Sequence, residues 1–140
     1  MTAQTPIGST KIPLALVFGT LGIGDAAGTL YTNVSSVLSY RMPQAGSVIG
    51  YASNLTGTLT TGTLTFYPTL NGAAMTNSFS NGTVNIGTFG NFERDQAQQG
   101  GFSFNAGDVV GLGFNKVGTV APTTRDANAL LLVLLDGYDY

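Results

Sequence analysis

Residues 63–70, TLTFYPTL, alternate between apolar and polar side chains and run straight into Asn71-Gly72. Leu64, Phe66, Pro68 and Leu70 fall on one face; the threonines and Tyr67 fall on the other. Period-two alternation is the mark of a half-buried strand. Asn and Gly both tolerate positive φ, which a type I′ hairpin turn requires. The alternation therefore predicts a strand that ends in a tight turn. It sits in a longer unit, residues 40–72. There Met42-Pro43-Gln44-Ala45-Gly46 turns into a strand at 47–54, and a polar stretch at 56–62, with one leucine, reads as a loop outside the core.

The rest of the chain repeats the pattern. Residues 12–18 (IPLALVF) read as a short apolar strand, with Pro13 marking a strand start or a sheet edge. Residues 19–36 are rich in glycine and small residues and read as a loop, with a brief strand near 29–32. Residues 73–79 return as a strand, Ser80-Asn81-Gly82 turns, and 83–89 alternates with Val84 and Ile86 on one face. Residues 90–99 (GNFERDQAQQ) are the most polar segment, and Glu93-Arg94-Asp95 reads as a solvated loop tip. Phe102 and Phe104 mark a strand at 101–105, Ala106-Gly107-Asp108 turns it, and 109–114 (VVGLGF) follows. Residues 116–126 read as a long loop.

Residues 127–135 (ANALLLVLL) need a decision, because leucine favours helix by propensity. The run is short, follows a strand-turn-strand series and ends at Asp136-Gly137, so a buried strand is expected. Leu131, Val133 and Leu135 lie on one face of it and Leu130, Leu132 and Leu134 on the other. A strand apolar on both faces needs a cover on each side. Val110 and Leu112 belong to a weaker version of the same pattern. The second cover could be a loop, the N-terminal residues, or another subunit, with the strands lining a symmetry axis.

Eight or more short strands with no helical period predict an all-β chain, an antiparallel β-sandwich wired as a Greek key or jelly roll. The 140 residues suffice for one domain, expected at 12–140 behind an extended arm at 1–11. Only 9% of residues are charged, so threonine, serine, asparagine and glycine must cover the surface. Such a surface suits a protein docked in an assembly. Five Lys and Arg against a net charge of −2 offer no basic patch for nucleic acid. Cysteine and histidine are both absent, which removes disulfides, the usual zinc ligands and the usual general base.

Other candidate chemistry is thin. GTLGIGDAAG lacks the Lys-Ser/Thr ending of a phosphate loop, and the acidic residues show no calcium-loop spacing, so no cofactor or metal is expected. Asp108 reads as a turn residue that bonds nearby backbone. Nothing at the N-terminus resembles a signal peptide and no apolar run approaches membrane-spanning length, so a chain folded in a cytosol, away from membranes, is expected. Without export, the Asn-x-Ser/Thr triplets at Asn33, Asn54 and Asn81 carry no glycosylation reading.

The series MPQAGSVIGYASNL, TGTLTFYPTLNG and GGFSFNAGDVVGLGF, closed by an apolar strand, resembles a family of small trimeric jelly-roll domains. These occur on phage virions as head decoration and fibre-head proteins, and on spore-surface glycoproteins; they are similar in architecture to C1q and tumour-necrosis-factor heads. The likeness spans about residues 41–135 and rests on turn chemistry. Pro68 departs from it by removing a ladder donor in mid-strand, which suggests an edge or bulge. The chain also lacks the collagen-like repeat of stalked members.

The resemblance implies a non-enzymatic virion protein, a capsid decoration or cement protein. It would be assembled in the host cytoplasm as a homotrimer and bound to the major capsid protein at the capsid surface. The expected trimer interface is Leu130, Leu131, Leu132, Val133, Leu134 and Leu135 with Val110 and Leu112. The expected capsid-docking residues are Pro6, Ile7 and Lys11, on an arm that is otherwise a frayed end. The alternative is a fibre-head or lectin-like module that binds cell-surface glycans, for which the loops offer Tyr31, Phe89 and Phe92.

Overall fold

The computed structural model describes residues 11–20, 23, 28–29, 32, 37–75, 79, 82–94 and 102–137. Among them, eleven β-strands form two antiparallel sheets that face each other as a sandwich. The first sheet contains β1 (Ile12–Thr20), β11 (Ala127–Leu135), β4 (Gly46–Leu55) and β8 (Gly90–Arg94), in that order, with β9 (Ser103–Phe104) also on β4. The second runs β2 (Gly28–Thr29), β10 (Val109–Ala121), β5 (Thr61–Leu70) and β6 (Ala73–Ala74), with β3 (Ser39–Arg41) on β10 and β7 (Thr83–Val84) on β5.

The leucine-rich segment is a strand despite its helix propensity, because it lies inside its sheet with a ladder on both sides. Leu131 sits opposite Leu16 on β1 and Tyr51 on β4. Its odd positions meet the second sheet: Leu131, Val133 and Leu135 are buried, as are Val110 and Leu112 across from them. A bulge in β4 sets the register. Gly50 pairs with Leu132 and Val48 with Val133, so Ile49 is the extra residue. Val48 and Tyr51, three apart, can therefore both face inward.

Aromatic rings fill the space between the sheets. Tyr51 stacks on Phe79 at 4.4 Å between centroids and tilts against Phe66 at 5.8 Å. Phe102 reaches Phe79 and Phe114 reaches Phe66. Offset and edge-on contacts of this kind add to the area each ring buries.

The hairpin turn forms as its residues predict. Asn71 has φ 52° and Gly72 φ 87°. Asn71 also ties the turn to the neighbouring one: its Oδ1 accepts from the Val109 N–H and its Nδ2 donates to Asp108. Asp108 in turn accepts from the Asn105 N–H at 2.8 Å. Pro13 does lie on an edge strand. Pro68 is tolerated because its missing N–H points away from β10, into the gap between β6 and β7, where its carbonyl accepts from Met75.

Five expectations are corrected. The strand expected at 73–79 ends at Ala74, and Met75 and Phe79 lie outside it. Residues 56–62 do contribute to the core, since Leu59 is 1% exposed. The strand expected at 83–89 stops at Val84; a turn with Gly87 at φ 82° follows and leaves Ile86 exposed. Glu93 and Arg94 are no loop tip but part of β8, and Glu93 is buried opposite Tyr51. Most of the loop expected at 116–126 is strand, because β10 keeps its pairing with β5 through Val117 and resumes it at Ala121.

Candidate interaction surface

In a lone two-layer sandwich the outer face of each sheet normally meets water and is polar. Here the two outer faces differ in chemistry. The second sheet presents Thr63, Thr65 and Tyr67 on β5, each partly exposed, with Thr83 beside Thr65 at 3.2 Å between hydroxyls; Thr69, on the same face, is buried. Glycines on β10 make room for the larger of these. A Cβ at Gly113 would lie 2.6 Å from the Tyr67 ring, so only glycine lets the ring lie flat there.

The first sheet presents apolar side chains instead. Register places Val17, Leu130, Ala52 and Phe92 side by side across β1, β11, β4 and β8. The next rows begin Ala15–Leu132 and Pro13–Leu134. Val17 is 53% exposed, Leu130 39% and Phe92 71%. These are the even-numbered leucines whose second cover the sequence required. The odd-numbered ones, with Val110 and Leu112, find their cover inside the chain, from its own second sheet. The expected interface thus splits. Leu130, Leu132 and Leu134 face outward; Leu131, Val133, Leu135, Val110 and Leu112 are core.

At the β8 end the apolar face runs into a cleft of about 510 Å³, lined by Ala52, Asn54, Thr88, Phe89 and Phe92 among others. Asn91 holds its floor, donating to the Thr83 carbonyl and accepting from Ser53. Sequence reasoning named Phe89 and Phe92 only as loop residues. Their meeting depends on Gly90–Arg94 pairing with β4, which local sequence does not signal.

Of the expected docking residues, Pro6 and Ile7 lie outside the described residues. Lys11 is described, and its ammonium pairs with Asp136 at 2.7 Å. That contact clasps the start of β1 to the end of β11. Both groups are about half exposed, which makes it a weak tether.

No cluster of three or more acidic side chains that could hold a metal occurs among the described residues. The buried phenol of Tyr51 is pushed up to about 12 by desolvation; a hydrogen bond with Ser53 opposes the shift and the Glu93 carboxylate adds to it. It stays protonated at neutral pH and serves packing. Asp108 is held below the usual carboxylate range by the Asn105 N–H and the Asn71 amide.

The fold defines an all-β protein of two facing antiparallel sheets. Its sequence matches no protein-family model and no curated protein. Its structure is similar to a chain of the acidic stable capsid structure of Helicobacter pylori bacteriophage KHP30, with TM-score 0.52 and 10% identity over 94% of this chain and 98% of that one. It is also similar to a chain of the cyanophage Pam1 capsid asymmetric unit, with TM-score 0.52 and 13% identity over 96% and 91%. At these identities the likeness is one of fold.

Proposed function

We propose that this chain is a structural, non-enzymatic protein of a phage virion. In this reading it is a decoration or cement protein, assembled in the host cytoplasm, that sits on the capsid surface as a homotrimer and stabilises the lattice of the major capsid protein. The observation that carries the reading is the apolar outer face of the first sheet, set against a threonine-covered second sheet. A sandwich that met water on both sides would have no use for Val17, Leu130, Leu132 and Leu134 there. The likeness in fold to chains of two phage capsid structures supports the virion setting.

The wiring supports a jelly roll. The chain passes from the first sheet at β1 to the second at β2 and β3, back at β4, across at β5 to β7, back at β8 and β9, across at β10 and home at β11. Residues 12–140 form the single domain in this reading and residues 1–11 an arm. The trimer contact uses Leu130, Leu132 and Leu134 around the axis. The arm, with Pro6, Ile7 and Lys11, supplies the contact to the capsid lattice.

A chain with 9% charged residues attaches by shape and apolar area, not by electrostatic steering. Pull-down of full-length protein and of a form lacking residues 1–9 onto bare capsids, at low and high salt, tests this. Full-length protein should bind with little salt dependence and the truncated form should stay folded but bind less. Equal binding by both forms would remove the arm from the mechanism. Binding that collapses at moderate salt would assign attachment to the charges instead.

A further inference from the structure

The exposed large apolar side chains of the sandwich are not scattered. Ten are exposed among the described residues, and eight of these lie on two opposite edges. One edge holds Ile12, Leu14 and Val17 of β1, with Val37 and Leu38 leading into β3. The two strands touch there: the Tyr40 hydroxyl donates to the Val17 carbonyl at 3.0 Å, and the Tyr40 ring meets Phe18 edge-on at 5.4 Å. The other edge holds Ile86, Phe89 and Phe92, where β7 and β8 meet through Asn91 and the Thr83 carbonyl. The second edge also carries the cleft lined by Phe89 and Phe92.

We infer that the β1/β3 edge of one copy docks against the β7/β8 edge of the next, Val17 entering the cleft beside Phe92 and Leu14, on the opposite face of β1, packing against Phe89, so that three copies close into a ring. This rests on the homotrimer reading and names its mating surfaces. Unlike surfaces that meet head to tail close into a ring when the rotation allows. The first sheet of each copy then faces the axis and the threonine-covered sheet faces out.

Area favours the ring over a pair. β1 is nine residues long, so an edge about 30 Å by 15–20 Å offers roughly 500 Å², below the roughly 800 Å² per partner of a stable interface. A copy in a ring buries both edges, roughly 1,000 Å² over its two contacts, whereas a copy in a dimer buries one. The contact is made by side chains, not by a shared ladder. Pro13 brings no N–H to the β1 edge and the Val17 carbonyl is already taken by Tyr40, two devices that blunt an edge strand. Charge is sparse on both edges: the Lys11–Asp136 pair closes one end of β1, Arg41 at the end of β3 donates to the Gly107 carbonyl, and Arg94 is the exposed charge of β8.

The chain has no cysteine, so engineered ones report cleanly. Val17 and Phe92 are three strand spacings apart within one chain, about 14 Å, beyond the reach of a disulfide. The double variant Val17→Cys/Phe92→Cys, oxidised mildly, should give covalent trimers, and each single variant should stay monomeric on a denaturing gel. The same result is expected from Leu14→Cys/Phe89→Cys. Dimers from the Val17→Cys variant alone would mean that like edges meet, which overturns the inference. So would a trimer by light scattering that neither pair cross-links. A wild-type monomer by light scattering would instead overturn the homotrimer reading beneath it.

Discussion

Leu130 and Leu131 are neighbours on one strand with opposite surroundings, and truncating each to alanine separates fold from assembly. Leu→Ala removes three carbon groups, worth about 2.4 kcal/mol when fully buried. Leu131 is fully buried, and the cavity left behind raises its cost to about 3–4 kcal/mol. Leu130 is 39% exposed, so the chain itself covers roughly three-fifths of it and the monomer should lose about 1.5 kcal/mol with no closed cavity. If the outer face lines a threefold axis, assembly covers the remaining two-fifths. That adds about 0.9 kcal/mol per subunit, close to 3 kcal/mol per trimer, or about a hundredfold in the assembly constant.

Urea denaturation at several protein concentrations, with sedimentation of the native species, reads both quantities. Leu131→Ala should lower stability at every concentration. Leu130→Ala should cost less in the isolated subunit and move dissociation of the native trimer to higher protein concentration. Equal losses for the two variants at all concentrations would refute the assignment of faces. An unchanged assembly constant for Leu130→Ala would remove the outer leucines from the interface.

Gly72→Val should cost about 1 kcal/mol or more, because φ is 87° although the space around the site is open; a melting comparison checks it, and Gly72→Asn should recover part of the loss. Asp108 contributes stability above the ordinary carboxylate pKa that fades as pH falls through its lowered folded-state value, so Asp108→Asn should flatten the acid limb of a stability profile below about pH 4. Tyr51 has the opposite sign. Its folded pKa of about 12 lies above the unfolded value of 10.0, so its contribution is present below pH 10 and lost between about 10 and 12. Ultraviolet titration should show one tyrosine ionising late, and Tyr51→Phe should remove that step.

Where alternation and turn chemistry act locally, the fold could be read directly. Residues 63–70 alternate because one face of β5 is core, and Asn71-Gly72 turns because both residues accept positive φ. The two apolar faces of 127–135 were legible as a demand for two covers, but not which cover came from within. That depends on pairing over more than a hundred residues. The residue types of β8 hide it, because Asn91, Glu93 and Arg94 have weak strand preference; β4 recruits them, and Glu93 is buried opposite Tyr51. Leu59 looked isolated among threonines, yet the fold closes over it. The bulge at Ile49 is a property of a strand pair and has no single-strand signature. The cleft at Phe89 and Phe92 inherits the illegibility of β8.

The place of β11 bears on how the protein is made. It is the last of the described strands to be synthesised, yet it lies between β1 and β4 and is the strand that β1 pairs with. Ile12 waits for Leu135; at about 5–20 residues per second, that is roughly 6–25 s of ribosome time. Until then, among the described strands, β1 has no ladder, β4 lacks one neighbour, and the even-numbered leucines do not exist. An unfinished copy therefore lacks its closed first sheet and its apolar outer row together. Translation order keeps the outer leucines off the unfinished copy, because the strand that completes the first sheet is also the one that carries Leu130, Leu132 and Leu134.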